Sequence, residues 1–327
     1  MKDDMKVPQS LQECIQYFSD LDVCVEFVAA LRWADGIPEC PYCHSKQHSY
    51  IKTRRIFKCR DCRKQYSVKV GTIFEDSPIG LDKWLMAVWL VVNCKNGISS
   101  HELAKDIKIT QKSAWFMLGR IRLALKNNSL FKLGGDDGGP IEVDETFVGG
   151  LAKNMHRSRA KRYAEGHFGK TIVVGLLDRE LRQVRANVVP NVKRETLQAE
   201  ILKNVKHGSK VMTDEHIGYD QVRSRYVHDV VKHVETYVNG QVHTNGIENF
   251  WSLLKRGLKG TYVAVEPFHL DRYVDEQVFR YNNRATKDNP LADSDRFLLA
   301  VSQVAGKRLT YKELTGKTAE SLTPEIF

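Results

Sequence analysis

The sequence predicts a multidomain α+β protein, on three observations: two closely spaced cysteine pairs near the N-terminus, apolar residues at helical spacing through the next stretch, and β-rich runs after a glycine-rich break. At 327 residues the chain has room for two or three domains with buried cores. Hydrophobic residues make up 42% and charged residues 28%, a balance that excludes a disordered chain. The longest apolar run, Trp84 to Val92, is about half of what a bilayer-spanning helix needs, so no membrane partner is expected. No apolar stretch of signal-peptide type follows the opening Met-Lys-Asp-Asp-Met-Lys, and a cytoplasmic location is expected. Fifty Lys and Arg against forty Asp and Glu leave a formal +10, which favours a polyanionic partner, nucleic acid first.

Residues 1–35 carry Leu11, Ile15, Phe18, Val23, Phe27, Val28 and Leu31 at a spacing that predicts helices. A ribbon is assigned to residues 36–75. There "CPYC" supplies Cys40 and Cys43, and "CRDC", fifteen residues on, supplies Cys59 and Cys62. Two such pairs suit one tetrahedral zinc, because each short loop turns two thiolates toward a metal about 2.3 Å away. Forty residues build little core, so metal must supply the stability; apparent binding free energies run to roughly 10–16 kcal/mol in small zinc modules. Nine basic against three acidic side chains keep the ribbon positive even with the zinc–thiolate centre at about −2. Arg54 and Arg55, in its basic hairpin, are candidate phosphate contacts. Cys14, Cys24 and Cys94 fall outside the spacing and read as small core hydrophobes.

Residues 76–131 read as one apolar helix and then a helix-turn-helix. Ser99 and Ser100 are candidate N-caps, the first short helix runs to Ile107, and the second starts near Thr110 with Ala114, Met117, Leu118, Ile121 and Leu125 turned inward. Gln111 and Lys112 open that second helix and are candidates for a DNA major groove. "KLGGDDGGP", residues 132–140, is linker chemistry. A domain over 141–265 follows. "IEVDETFVGG", "TIVVGLLDRE" and "RQVRANVVP" read as strands, Lys193 to Val205 as a helix, "KVMTDEH" as a strand, "GYDQVRSRY" as a short helix and Asn245 to Leu258 as a long amphipathic helix. Residues 266–327 read as a helical region with a packing or assembly role.

Three acids stand out. Asp144 lies in an apolar strand, where an unpaired charge is costly, and Asp214 ends another. On the helix from Asn245, the residues Asn245, Glu248, Ser252 and Lys255 line one face, while Ile247, Phe250, Trp251, Leu254 and Leu258 form an apolar face that would dock on the sheet. Carboxylates brought together in this way repel unless cations separate them, and hard oxygen donors suit Mg²⁺ or Mn²⁺. Two such ions about 3.5–4 Å apart serve phosphodiester chemistry. Glu145 and Glu215 compete, but neighbours in a strand point to opposite faces. Residues 153–170 hold six basic side chains against one acid, among them Arg157, Arg159, Lys161 and Arg162. That stretch, with Lys255 and Arg256, would neutralise DNA phosphates near the metals.

The runs "HTNGIENFWSLLKRGLKGTYV" and "HLDRYVDEQVFRYNNR", the strand "IEVDETFVGG", the strand end "TDEHIGY" and the ribbon "CPYC…CRDC" resemble the bacterial insertion-sequence transposases that join an N-terminal zinc ribbon to a DDE-type domain of ribonuclease H-like fold. The resemblance implies an α/β catalytic domain with a mixed sheet, with Asp144 on its first strand, Asp214 just after the fourth, Glu248 on a later helix and Lys255 seven residues further on. It also implies one structural zinc and two catalytic Mg²⁺ or Mn²⁺ ions. Some relatives have asparagine as third ligand. Glu248 is favoured because a carboxylate binds Mg²⁺ better than an amide, and Asn245, one turn earlier, stays an alternative ligand or a partner of one. The activity implied is binding of the element's inverted repeats in double-stranded DNA, cleavage at the ends and joining of the 3′ strands to target DNA. A homo-oligomer would synapse two ends, at the nucleoid. A silent DNA-binding regulator and a nuclease of the same fold are the alternatives.

Overall fold

The computed structural model describes residues 7–126, 129, 131–135, 138–149, 170–213, 226–230, 244–287 and 289–316. The chain divides into two compact units, one of Met1–Lys126 with Asn283–Phe327, the other of Asn127–Asn282. The fold is mixed α+β, with a four-cysteine ribbon before a mixed sheet, in line with the class expected from the sequence.

In the first unit, α1 (Leu11–Tyr17) and α2 (Leu21–Arg32) start at Ser10 and Asp20, whose side chains accept the amides of Glu13 and Asp22. Three short antiparallel strands form the ribbon: β1 (His48–Ile51), β2 (Ile56–Cys59) and β3 (Gln65–Tyr66). The apolar run noted in the sequence becomes α3 (Leu81–Asn93), a helix buried on most of its surface, which is why it carries no polar stripe. Next come α4 (Ser100–Asp106) and α5 (Gln111–Leu125). Ser99 and Glu102 form a reciprocal capping box on α4, and the Thr110 side chain caps α5. Arg120 of α5 is buried and donates to the carbonyls of Ile73, Glu75 and Leu309 while lying over the Phe116 ring. Burial pushes the thiols of Cys14 and Cys24 up to about 12, so both behave as apolar groups. Cys94, expected in the core with them, is only half-buried, just past the end of α3.

The chain returns to this unit after Asn282. Helix α9 (Asp293–Ser302) sets Phe297 among Phe18, Phe27 and Trp89, and α10 (Tyr311–Leu314) lays Leu314 against Gly119 of α5. Where the sequence reading took residues 266–327 as one helical region, the structure divides it. Local periodicity reports that a helix has an apolar face, not which core that face completes.

The second unit is a five-stranded sheet in the order β6-β5-β4-β7-β8, built from β4 (Ile141–Val148), β5 (Thr171–Asp178), β6 (Gln183–Val189), β7 (Lys210–Thr213) and β8 (Val227–Val230). The β4/β5 and β5/β6 pairs are antiparallel, while β4/β7 and β7/β8 are parallel. On one face Ile141 and Val143 join Leu197 and Ile201 of α6 (Arg194–Asn204). On the other lie α7 (Asn245–Gly257) and α8 (Leu270–Asn282), which bring Ile247, Phe250, Trp251, Leu254, Val274 and Val278 over Val173, Leu177 and Val184. Asn282 ends α8 by pairing both ways with the backbone of Val184.

The glycine-rich stretch expected as a linker is tied into this unit. Asp178, fully buried at the end of β5, accepts the amides of Gly134 (2.9 Å), Gly139 (3.0 Å), Glu180 (3.1 Å) and Leu181 (3.0 Å). Leu133 bridges to Val205. Strand β8 is an element the sequence reading lacked, and all but the last residue of the expected "GYDQVRSRY" helix lies outside the described residues.

Candidate metal and catalytic sites

The four ribbon cysteines converge, with all their sulfurs within 4.8 Å of one another. Cys40 Sγ lies 3.6 Å from Cys62 Sγ, and Cys43 Sγ 3.6 Å from Cys59 Sγ. A tetrahedron of metal–sulfur bonds about 2.3 Å long needs sulfurs about 3.8 Å apart, so the set fits one structural zinc. The two loops share a geometry. His44 and Arg63, each following the second cysteine of its pair, take positive φ of 60° and 62°, and the amides of His44 and Cys59 close turns onto Cys40 and Lys64 carbonyls. The Cys62 amide, helped by that of Asp61, draws the Cys59 thiol down to about 7, toward the thiolate a metal requires.

On this ribbon Arg54 reaches Gln65, and Arg55, in a left-handed turn between β1 and β2, is paired with Asp22 of α2 at 2.6 Å. Gln111 and Lys112 are exposed at the start of α5. Gln111 donates to Ser100 Oγ at 2.8 Å, and the Lys112 ammonium lies over the Tyr311 ring.

In the second unit, alternation along β4 sends Glu142 and Asp144 to the face that α7 covers and Val143 to the other. Two contacts fix α7 there. Glu142, 1% exposed, accepts the Ile247 amide at 2.8 Å in the first turn of α7 and receives Arg179 Nε at 2.5 Å. One turn later the indole of Trp251 donates from Nε1 to Asp144 Oδ2 at 2.9 Å, and the Glu145 amide donates to Asp144 Oδ1 at 2.8 Å. Two glycines admit the helix. A Cβ on Gly246 would meet Leu177 at 2.3 Å, and one on Gly175 would meet the Trp251 ring at 2.6 Å.

Asn245 and Glu248 are exposed on α7, Lys255 is half-buried on the same face in the last turn, and Arg256 is exposed. Thr244 Oγ1 donates to Glu248 Oε1 at 3.1 Å. The structure therefore sets Asp144 against the helix that carries Asn245, Glu248 and Lys255. Asp214, Glu215, Arg157, Arg159, Lys161 and Arg162 lie outside the described residues. Sequence reasoning missed Glu142 and the polar role of Trp251. The signals were available: Glu142 shares strand parity with Asp144, and a buried indole N–H requires an acceptor.

A cysteine-clamped ribbon followed by a mixed-sheet unit, with an acid of its first strand hydrogen-bonded to a packed helix, defines a zinc-ribbon protein with a second, α/β domain. The chain belongs to the insertion-sequence transposases: residues 137–282 match the ISXO2-like transposase domain and residues 19–65 the transposase zinc-ribbon domain, together more than half of its length. A protein described as uncharacterized, in transposable element ISH50 of Halobacterium salinarum, is 26% identical over 248 residues, covering 71% of this chain and 81% of that one. A chain in the structure of the simian T-cell lymphotropic virus intasome in complex with PP2A regulatory subunit B56 gamma matches 65% of this chain and 74% of its own. Its 11% identity and TM-score of 0.31 are too slight to carry an argument. Among the described residues, no helix is long and apolar enough to cross a membrane.

Proposed function

We propose that this transposase binds the terminal inverted repeats of its element, cleaves at the ends and joins the freed 3′ ends to target DNA. The observation that carries the reading is Asp144, held on β4 against α7, the helix of Glu248. Asp214 follows Thr213, the last residue of β7, in sequence, and β7 is the parallel neighbour of β4. Asp144, Asp214 and Glu248 are the oxygen donors that would hold two Mg²⁺ or Mn²⁺ ions, with Asn245 the alternative to Glu248. Such ions, when bound, polarise a phosphate and stabilise the attacking and leaving oxygens.

In the first step water attacks the phosphorus, the P–O3′ bond breaks and a 3′ hydroxyl is left. In the second that hydroxyl attacks a target phosphate, and the target's own 3′ oxygen departs with the proton. Lys255 and Arg256, with the basic residues 153–170, neutralise the phosphates flanking the scissile bond. The zinc ribbon, through Arg54 and its neighbours, and the α4–α5 pair, through Gln111 and Lys112, grip duplex DNA. Arg55, engaged by Asp22, contributes less to that grip. Two copies of the chain synapse two ends, and the protein acts at the nucleoid.

The experiment is a cut-and-join assay on labelled repeat-ended DNA with Mg²⁺. Asp214→Asn and Asp144→Asn abolish both products while leaving DNA binding intact. Cutting and joining by either variant at the wild-type level would end the assignment, and cutting without joining by the wild type would make the chain a nuclease.

A further inference from the structure

Two acids share the α7-facing side of β4, and each meets a donor from α7 there. Glu142 is matched with the guanidinium of Arg179 and the first turn of α7, so its charge is answered inside the protein. Asp144 accepts the Trp251 indole N–H on Oδ2 and the Glu145 amide on Oδ1. An indole is a donor only and carries no charge, so it fixes where a carboxylate points without cancelling the negative charge that attracts a cation.

The space for that indole is also built in. Gly175 is the cross-strand partner of Asp144 in the β4/β5 pair. A Cβ there would sit 2.6 Å from Trp251 ring atoms and 2.9 Å from Ile247 Cδ1. The residue opposite the acid is therefore the one whose missing side chain lets the indole cross β5 to reach it.

The geometry points to Trp251 as the positioning residue for Asp144: its Nε1–H sets the direction of the carboxylate for a divalent cation, with Gly175 providing the clearance. This rests on the reading of Asp144 as a metal ligand. Partners that orient a ligand typically change metal affinity by 10–100-fold when removed.

The test measures Mn²⁺ binding to the full, zinc-loaded chain by electron paramagnetic resonance of the free ion, without DNA. Trp251→Phe keeps an aromatic ring over Gly175 and deletes the donor, and it is expected to weaken Mn²⁺ binding about tenfold with little change in the melting curve. Gly175→Ala displaces the indole and should weaken binding to a similar degree. A second readout uses the folded wild-type protein labelled with ¹⁵N-tryptophan. Trp251 is the tryptophan of residues 127–282, the other four preceding Lys126, and its indole N–H resonance should move on Mg²⁺ addition in the wild type but not in Asp144→Asn. Wild-type Mn²⁺ affinity in Trp251→Phe, or a stationary Trp251 resonance while Mn²⁺ binding depends on Asp144, overturns the positioning role and leaves the metal reading standing. Mn²⁺ binding that is absent, or indifferent to Asp144→Asn, overturns both.

Discussion

Replacing Glu142 with alanine tests whether a buried charge holds α7 to the sheet. The carboxylate is 1% exposed and joins Arg179 Nε at 2.5 Å to the Ile247 amide at 2.8 Å. Removing one partner of a buried ion pair costs about 3–5 kcal/mol, because the other charge stays behind. The Arg179 side chain is 19% exposed, which brings in some water and lowers that figure, while the amide left without this acceptor adds about 1 kcal/mol. The expected loss is about 3 kcal/mol, and at roughly 2–4 °C per kcal/mol for a unit of this size the melting midpoint falls by about 6–12 °C. Hydrogen exchange read by mass spectrometry on peptides from β4 and α7 assigns the loss to this unit. Glu142→Gln keeps an acceptor for Ile247 and should fall between alanine and wild type. Adding Arg179→Met to Glu142→Ala should recover part of the loss, since no guanidinium is then stranded. A Glu142→Ala protein within about 0.5 kcal/mol of wild type, with α7 amides exchanging at the wild-type rate, would refute the reasoning.

Two further outcomes follow from the first unit. Zinc chelation, or Cys59→Ser, should unfold residues 36–75 and weaken repeat binding while α7 keeps its exchange protection, because the ribbon's folding free energy is chiefly metal binding; ribbon amides still protected in zinc-free protein would contradict this. The Ser99 amide, with the Ser99 side chain, holds the Glu102 carboxyl below the usual carboxylate range, as the Thr310 amide does for Glu313. A folded-state pKa below the unfolded one gives stability that is complete above the ordinary carboxylate range and lost as pH falls through the lowered value. Urea midpoints measured from neutral to acid pH should therefore converge for Glu102→Gln and wild type at the acid end, and parallel curves would refute the capping role.

Much of this architecture was legible because its causes are local. Metal-ligand spacing announced the ribbon, whose four sulfurs meet as expected. The 3.6-residue period separated Ile247, Phe250, Trp251 and Leu254 from Asn245 and Glu248, and those apolar residues are the ones buried. What escaped depends on partners distant in sequence. Asp178 looks like a turn residue after a strand, and only the folded chain brings Gly134 and Gly139 to it, converting a stretch with linker composition into part of a domain. Glu142 looked like the polar half of an alternating strand. Its burial follows from Arg179, thirty-seven residues away, and from α7, more than a hundred away. Strand β8, Val-His-Asp-Val, carries two polar residues in four, where β7 has the apolar pair Val211 and Met212 to mark it.

The return of the chain to its first unit after Asn282 bears on synthesis. Phe297 packs among Phe18, Phe27 and Trp89, and Leu314 against Gly119, so that unit has no finished interior until residues 297–314 have been made. The sheet-bearing unit, uninterrupted in sequence, is by then complete. A chain cut short before residue 297 would thus leave Phe18, Phe27 and Trp89 around a hole where one ring belongs.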